Sequence, residues 1–162
     1  REEVEVVVDK MPYNFMYIGM IHLVFPSAKI ISVQRNAIDN CFSIYKQKFG
    51  TGNYFSYSLL EIGEYYNLYN ELMHHWNSVL PEKIFQIQYE ELTLNQEKET
   101  KRLLQHCSLN WEENCLSFHK TSRDVRTASS VQVRQPLYNS SVNLWENYKK
   151  ELEPLIKILE RS

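Results

Sequence analysis

The fold is decided by the stretch Ala28-Lys-Ile-Ile-Ser-Val-Gln-Arg-Asn-Ala-Ile-Asp39. Its first part, Ala28 to Val33, is a short apolar run of the kind that forms a buried strand. Asn36 suits a helix N-cap, and Asp39 falls in the first turn of the following helix, where a carboxylate interacts favourably with the helix dipole. We therefore predict a strand and then a helix, with Arg35 at the junction between them.

Strand and helix patterns alternate on both sides of this junction. Upstream, Val4 to Val8 is a β-branched run typical of a buried strand, and Phe15 to Phe25 is apolar over about three helical turns. The patterns downstream predict a helix to about Lys48, a long helix over Ser58 to Leu80, a strand over Ile84 to Tyr89, helices over Asn95 to Cys107 and Trp111 to His119, and a helix pair around Ser141 to Tyr148 and Leu152 to Leu159. This alternation favours an α/β domain with a parallel sheet.

Composition and charge restrict the class of protein. The 162 residues are 43% hydrophobic and 23% charged, which is typical of one globular domain and argues against a disordered chain. The net charge of −2 disfavours nonspecific binding to nucleic acid, and no apolar run approaches the roughly 20 residues of a membrane span. The cysteines at 41, 107 and 115 are widely spaced without a C-x-x-C motif, so we expect reduced thiols and a cytoplasmic protein.

Three polar side chains lie at or just after the carboxyl ends of the predicted strands: Lys10, Arg35 and Tyr89. Parallel sheets bind ligands at the carboxyl ends of their strands, so these positions are candidates for a binding site. Ser43 follows Arg35 by eight positions and lies about 10 Å along the predicted helix from its N-cap. A planar guanidinium and a hydroxyl could hold one anion between them. The alternative is a surface arginine, a surface lysine and a serine inside a helix.

Residues 120 to 140 are polar and lack periodicity, and a loop of that length is usually functional or disordered. Within it, Arg126 to Pro136 carries hydroxyls, amides and two guanidiniums. Such a loop could wrap a phosphate with its backbone N–H groups. The alternative is a solvated linker.

The histidines do not suggest a metal site. His74 and His75 are adjacent on a predicted helix and therefore do not share a face, whereas two metal ligands on a helix are typically four residues apart. We expect no bound metal.

Five short motifs follow one another along the chain. They are Asp9-Lys10-x-Pro12-x-Asn14, Phe25-Pro26-x-Ala28-Lys29-Ile-Ile, Arg35-Asn-x-x-Asp39-x-x-x-Ser43-x-Tyr45, Tyr89-Glu90-Glu91-Leu92, and Thr127-Ala-Ser129-x-x-Gln132-Val-Arg134-Gln-Pro136 followed by Trp145. In order and spacing this set resembles the P-loop-related sulfotransferase family, whose sulfuryl donor is 3′-phosphoadenosine-5′-phosphosulfate (PAPS). The last motif most resembles the tyrosylprotein sulfotransferases and their bacterial relatives that carry TPR repeats.

The resemblance implies a role for each matching residue. Arg35 and Ser43 would bind the 3′-phosphate of the nucleotide, and Tyr89 would lie beside the adenosine. The segment from Ser129 to Tyr138 would wrap the phosphates and the base, with contacts from Ser129, Ser130, Gln132, Val133 and Arg134. Two catalytic roles are also implied: Ser129 would donate toward the transferring sulfuryl group, and Lys10 would stabilise the charge that develops there and on the leaving phosphate.

The resemblance also implies a fold, and this sequence lacks part of it. The family's domain is a three-layer α/β sandwich with a parallel sheet, like that of the P-loop nucleoside triphosphate hydrolases. Its 5′-phosphosulfate loop, of the form P-R-S-G-[ST]-[ST], has no counterpart here. We therefore expect residues 1–162 to be the C-terminal portion of a single sulfotransferase domain that lacks its first strand and phosphate loop, with the general base also upstream. An open sheet edge would then favour self-association.

Two other functions stay open at this stage. A related P-loop nucleotide kinase would prefer ADP or ATP, whereas a sulfotransferase would prefer 3′-phosphoadenosine-5′-phosphate (PAP), the product of PAPS. A non-catalytic binding module would keep the nucleotide site without turnover. The partners implied are the nucleotide and an acceptor, and the acceptor class is open among protein tyrosine, carbohydrate, lipid and small phenol, because acceptor loops vary most.

Overall fold

The computed structural model describes residues 6–50, 52–120 and 134–161. At its centre lies a parallel pair of strands, β1 (Ile30–Gln34) and β2 (Ile84–Gln88). The strands are in register, with Ile30 opposite Ile84 and Gln34 opposite Gln88. Two of the three predicted strands, those near Ile30 and Ile84, are confirmed together with their parallel direction, and the chain has a mixed α/β architecture with a small parallel sheet.

Helices occupy most of the remaining described chain. The α-helices are α1 (Ile18–Val24), α2 (Ala37–Lys46), α3 (Leu59–Val79), α4 (Tyr89–Leu94), α5 (Gln96–His106) and α6 (Glu153–Leu159). Short 3₁₀ helices cover Pro12–Tyr17, Tyr54–Tyr57, Glu113–Lys120 and Leu144–Tyr148. In the part of the chain that the structure describes, no helix combines the length and the apolar character that crossing a bilayer requires.

The predicted strand over Val4 to Val8 is wrong in its described part, residues 6–8. Residues 6–8 form no strand, and the side chains of Val7 and Val8 are 84% and 85% exposed. A β-branched run becomes a strand only when a neighbour pairs with its N–H and C=O groups. Among the described residues β1 pairs with β2 alone, so no such neighbour borders this run.

Other elements also differ from the sequence prediction in their type or ends, among them the predicted helix over Trp111 to His119, which is the 3₁₀ helix Glu113–Lys120. Tyr89 does not end a strand but begins α4, a helix that the sequence reading missed although Glu90 and Glu91 suit its first turn. The region predicted as one apolar helix, Phe15 to Phe25, begins within the 3₁₀ helix Pro12–Tyr17 and is α-helical over Ile18–Val24. The predicted helix from Ser141 begins at Leu144, because Asn143 adopts a left-handed backbone conformation with φ of 58°.

The main apolar core lies between α2, α3 and α6. Its buried members are Cys41, Phe42, Ile62, Leu152 and Leu155. Burial raises the pKa of the Cys41 thiol to about 12, so the thiol stays protonated at neutral pH. This core fixes the position of α2, the helix that follows Arg35.

A second cluster joins the sheet to α1 and α3, through Ile18, Met73 and Ile84. On the opposite face of β2, the Phe85 ring stacks on His106 of α5 with centroids 4.4 Å apart. Helices therefore contact both faces of β2. On β1, by contrast, Ile31 and Val33 are 40% and 57% exposed.

Gly63 is required by the close approach of α6 to α3. A Cβ atom at this position would lie 2.9 Å from Cγ2 of Ile158 and 3.3 Å from Cδ1 of Leu155. We predict that Gly63→Ala lowers the free energy of unfolding by about 1–3 kcal/mol, because overpacking the core outweighs the higher helix propensity of alanine. The measurement is urea denaturation followed by circular dichroism. Gly50→Ala is the control, since a Cβ there meets nothing within 4 Å, and an equal loss in both variants would contradict the prediction.

Candidate functional site

The carboxyl ends of β1 and β2 bring two of the predicted site residues together. The last residues of the strands, Gln34 and Gln88, join through a side-chain hydrogen bond of 2.9 Å. The next residues, Arg35 and Tyr89, are therefore neighbours, and the Arg35 guanidinium carbon lies 5.2 Å from the centroid of the Tyr89 ring. This is the distance of a cation–π contact between the guanidinium and the ring.

The segment before the last helices contacts these two side chains. An Nη2 hydrogen of Arg35 is donated to the backbone carbonyl of Ser141. The Tyr89 hydroxyl lies 3.5 Å from both the Tyr138 carbonyl and the Ser141 hydroxyl. Nε of Arg35 is buried and has no acceptor within the ranges that the structure describes. The guanidinium thus keeps one donor unsatisfied while another binds Ser141.

The start of α2 is capped as the sequence predicts. Oδ1 of Asn36 accepts hydrogen bonds from the backbone N–H groups of Ile38 and Asp39, at 3.0 and 3.1 Å. The backbone N–H of Asn36 itself donates to Oε1 of Glu90 in α4, at 2.8 Å. The bond to Glu90 connects the start of α2 with the first turn of α4. Arg35 lies between the end of β1 and this capped start of α2.

Asp39 joins α2 to the segment that carries Ser141. Its side chain is 1% exposed and accepts backbone hydrogen bonds from Asn143 at 2.6 Å and from Trp145 at 3.1 Å. Sequence reasoning treated Asp39 only as a helix-dipole residue and missed this contact. The carboxylate in the R-N-x-x-D motif was a signal, but its partners lie more than 100 positions away.

The other predicted site residues are more dispersed. Ser43 lies one turn beyond Asp39 on α2 and is exposed, and Lys10 is exposed and precedes the first helix. In the described ranges, no hydrogen bond, ion pair or ring contact links either of them to Arg35 or Tyr89. Arg134 is exposed, whereas Ser129, Ser130, Gln132 and Val133 lie outside the described residues.

Tyr66 of α3 is a partly buried tyrosine whose pKa is shifted by its surroundings. Burial raises the pKa of Tyr66 to about 12, with smaller contributions from Tyr69, Cys41 and Glu90. A tyrosine with this pKa is protonated at neutral pH and does not serve as a general base there. Within the described parts of the chain, no three His, Cys, Asp or Glu side chains cluster as a metal site would require.

Comparison with known sequences identifies two matches. Residues 1–113 match the sequence model of the "Sulfotransferase family". A protein of Aquifex aeolicus (strain VF5), described only as uncharacterized, is 42% identical over 160 residues, which is 96% of this chain and 21% of that protein. The chain thus spans about a fifth of the length of this curated relative. Arg35, Asp39, Ser43 and Tyr89 all fall within the matched 1–113 range.

The N-cap at the site gives a stability prediction. Asn36→Ala should lower the free energy of unfolding by about 0.5–2 kcal/mol, because two N–H groups of α2 lose their acceptor, whereas Asn36→Gly should cost only a few tenths. Thermal unfolding measures both. Asn70→Ala, on the exposed side of α3, is the matched control and should be neutral or slightly stabilising. The prediction fails if Asn36→Ala and Asn70→Ala have the same melting temperature.

Proposed function

The chain belongs to the sulfotransferase family, and on that premise we propose that it takes part in moving a sulfuryl group from PAPS to a hydroxyl or amine acceptor. In this reaction an acceptor oxygen or nitrogen forms a bond to sulfur, the bond from sulfur to the 5′-phosphate oxygen breaks, and PAP leaves. The proton of the acceptor passes to a general base, which we expect outside residues 1–162.

The Arg35 guanidinium at the strand ends is the observation that carries this proposal. It sits on the Tyr89 ring, binds the Ser141 carbonyl through Nη2, and keeps Nε without an acceptor among the described residues. A guanidinium offers a planar fork of donors that suits a phosphate. Arg35 together with Ser43 would bind the 3′-phosphate, the group that distinguishes PAPS from ATP. An anion at this position would satisfy the remaining donors.

Tyr89 and the loop before residue 138 would hold the rest of the nucleotide. The Tyr89 ring is anchored through its hydroxyl to Tyr138 and Ser141 and would lie beside the adenosine. Tyr138 ends the proposed binding segment Ser129 to Tyr138, and its contact with Tyr89 lies at the strand ends. Ser129, Ser130, Gln132, Val133 and Arg134 would then contact the phosphates and the base.

Lys10 and Ser129 would act on the transferring group. A loose transition state carries charge on the sulfuryl oxygens and on the leaving phosphate, so preorganised cations and donors lower the barrier. Lys10 would supply the cation and Ser129 a hydroxyl donor. The exposed position of Lys10 leaves its ammonium accessible to a ligand.

The proposal extends to the fold. We expect the two strands to belong to a larger three-layer sandwich of the P-loop type, closest to the tyrosylprotein and TPR-linked branch, and residues 1–162 to form its C-terminal portion. The exposed Ile31 and Val33 support this, because parallel strands are normally buried on both faces. The three free cysteines are compatible with a cytoplasmic location.

Nucleotide preference tests the proposed 3′-phosphate site. PAP should raise the melting temperature of the protein more than ADP does, since a ligand stabilises the native state according to its affinity. Arg35→Ala should abolish the difference, at a cost of about 1.5–3 kcal/mol in PAP binding for a lost charged hydrogen bond. Isothermal titration calorimetry gives both affinities. Arg161→Ala, at the exposed end of the chain, is the control, and equal shifts from PAP and ADP in the unaltered protein would refute the site.

Turnover tests the catalytic roles. We expect residues 1–162 to bind PAP but to transfer radiolabelled sulfate slowly. Compared with a longer protein that has a 5′-phosphosulfate loop, the rate should be lower by about 10²–10³, because each lost oxyanion-type donor costs about that factor. In the longer protein, Lys10→Ala and Ser129→Ala should lower kcat more than PAP affinity. The acceptor panel is tyrosine peptides, phenols and sugars, with the exposed Lys48→Ala as the control. Rapid transfer by the 162 residues alone would contradict this prediction.

A further inference from the structure

The carboxylate of Asp39 is buried with backbone partners and no cation. Its side chain is 1% exposed, and no ion pair involving it occurs in the described residues. Each oxygen has its own partner: Oδ2 accepts from the N–H of Asn143 at 2.6 Å, and Oδ1 accepts from the N–H of Trp145 at 3.1 Å. Burying a charge is unfavourable unless it is hydrogen-bonded. The two hydrogen bonds offset the cost of burial, and an apolar residue here would leave both N–H groups without this acceptor.

The two N–H groups belong to a strained turn. Asn143 has φ of 58° and ψ of 18°, in the left-handed region that asparagine adopts more readily than most residues. The turn directs the N–H groups of residues 143 and 145 to one carboxylate. Asp39 thereby accepts from the residue before the 3₁₀ helix Leu144–Tyr148 and from the second residue of that helix. Its contact holds this turn against the first turn of α2.

The same turn carries the group that holds Arg35. Ser141 lies two residues before Asn143, and its carbonyl accepts the Arg35 Nη2 hydrogen bond. On the other side, Asp39 donates its own N–H to Asn36, the residue after Arg35. Arg35 therefore contacts the turn through Ser141 and directly precedes the helix cap Asn36. Asp39 is hydrogen-bonded both to this turn and to the cap. A displacement of the turn would move the Ser141 carbonyl and release the guanidinium from its orientation on Tyr89.

We propose that Asp39 is a positioning residue for nucleotide recognition: it fixes the turn Ser141–Trp145 so that Arg35 is preorganised for the 3′-phosphate. The inference rests on the proposed function, because it concerns the same nucleotide site. Asp39 does not touch the nucleotide and acts through Arg35. Preorganisation of this kind increases affinity by removing the cost of ordering a side chain on binding.

The variant Asp39→Asn isolates this role because it keeps the shape of the side chain. An amide offers one acceptor oxygen, and its NH₂ group would face a backbone N–H donor. We expect Asp39→Asn to lower the ratio of PAP to ADP affinity by tenfold or more, measured by calorimetry well below the melting temperature. Glu64→Gln, an exposed carboxylate-to-amide change on α3, is the control and should leave the ratio unchanged.

A double-mutant cycle separates positioning from a general loss of structure. If Asp39 acts through Arg35, Asp39→Asn should lower the preference for PAP over ADP when Arg35 is present. The same substitution should have no further effect on this preference in the Arg35→Ala variant. A purely structural role would lower the melting temperature while the affinity ratio of the folded protein stayed the same. That result, or full additivity in the cycle, would overturn the inference.

Amide hydrogen exchange distinguishes the failure of this inference from failure of the proposed function. We expect Asp39→Asn to speed exchange at the N–H groups of Asn143 and Trp145. Equal PAP and ADP affinity in the unaltered protein defeats the proposed function, and the nucleotide role of Asp39 with it. A clear PAP preference that survives Asp39→Asn overturns the inference alone. If Asp39→Asn does not fold, hydrogen exchange in the unaltered protein provides the test. PAP, but not ADP, should then slow exchange at the N–H groups of Asn143 and Trp145. Exchange that PAP leaves unchanged would also overturn the inference.

Discussion

Parallel pairing between β1 and β2 brings the two central groups of the candidate site, Arg35 and Tyr89, together. The pairing sets Gln34 opposite Gln88, so the next residues, Arg35 and Tyr89, emerge side by side. A shift by one residue would turn the side chains of a strand to its other face and separate the guanidinium from the ring. The register is specified from both faces of β2, because Ile84 packs toward α3 and Phe85 packs against α5.

Apolar packing and polar contacts hold the C-terminal segment in different ways. Leu152 and Leu155 are buried against α2 and α3, which anchors α6 to the body of the domain. Asp39 then holds the preceding turn through directional hydrogen bonds. Burial is nondirectional and would permit several positions of the turn, whereas two hydrogen bonds to one carboxylate select a single position. The Ser141 carbonyl reaches Arg35 because both constraints act together.

The two strands differ in how completely they are covered. Ile87 of β2 is 1% exposed, whereas its partner in the register, Val33 of β1, is 57% exposed. Helix α5 contacts β2 and leaves this side of β1 open to solvent. A two-stranded sheet alone is at best marginally stable, so the helices α1, α3 and α5 supply most of the burial that stabilises it. The exposed side chains of β1 leave this face of the sheet open to packing against a further layer.

Local sequence was sufficient for the elements whose signals are local. The strand and helix around Asn36, the cap itself, the span of α3 and the strand beginning at Ile84 were all predicted, because apolar periodicity and capping depend on neighbouring residues. The sulfotransferase family was likewise recognisable from motif order, and the sequence match confirms it. The proximity of Arg35 and Tyr89 also followed from the prediction, since both come directly after strands of one parallel sheet.

Contacts between distant parts of the chain required the folded structure. The run at residues 6–8 has strand propensity but no pairing partner among the described residues, and propensity cannot reveal whether a partner exists. Nothing near Asp39 in the chain indicates that its oxygens accept from Asn143 and Trp145, or that Ser141 holds Arg35. Hydrogen bonds of this kind depend on the distance between atoms in space. Their partners become defined only when the core of α2, α3 and α6 brings segments more than 100 positions apart together.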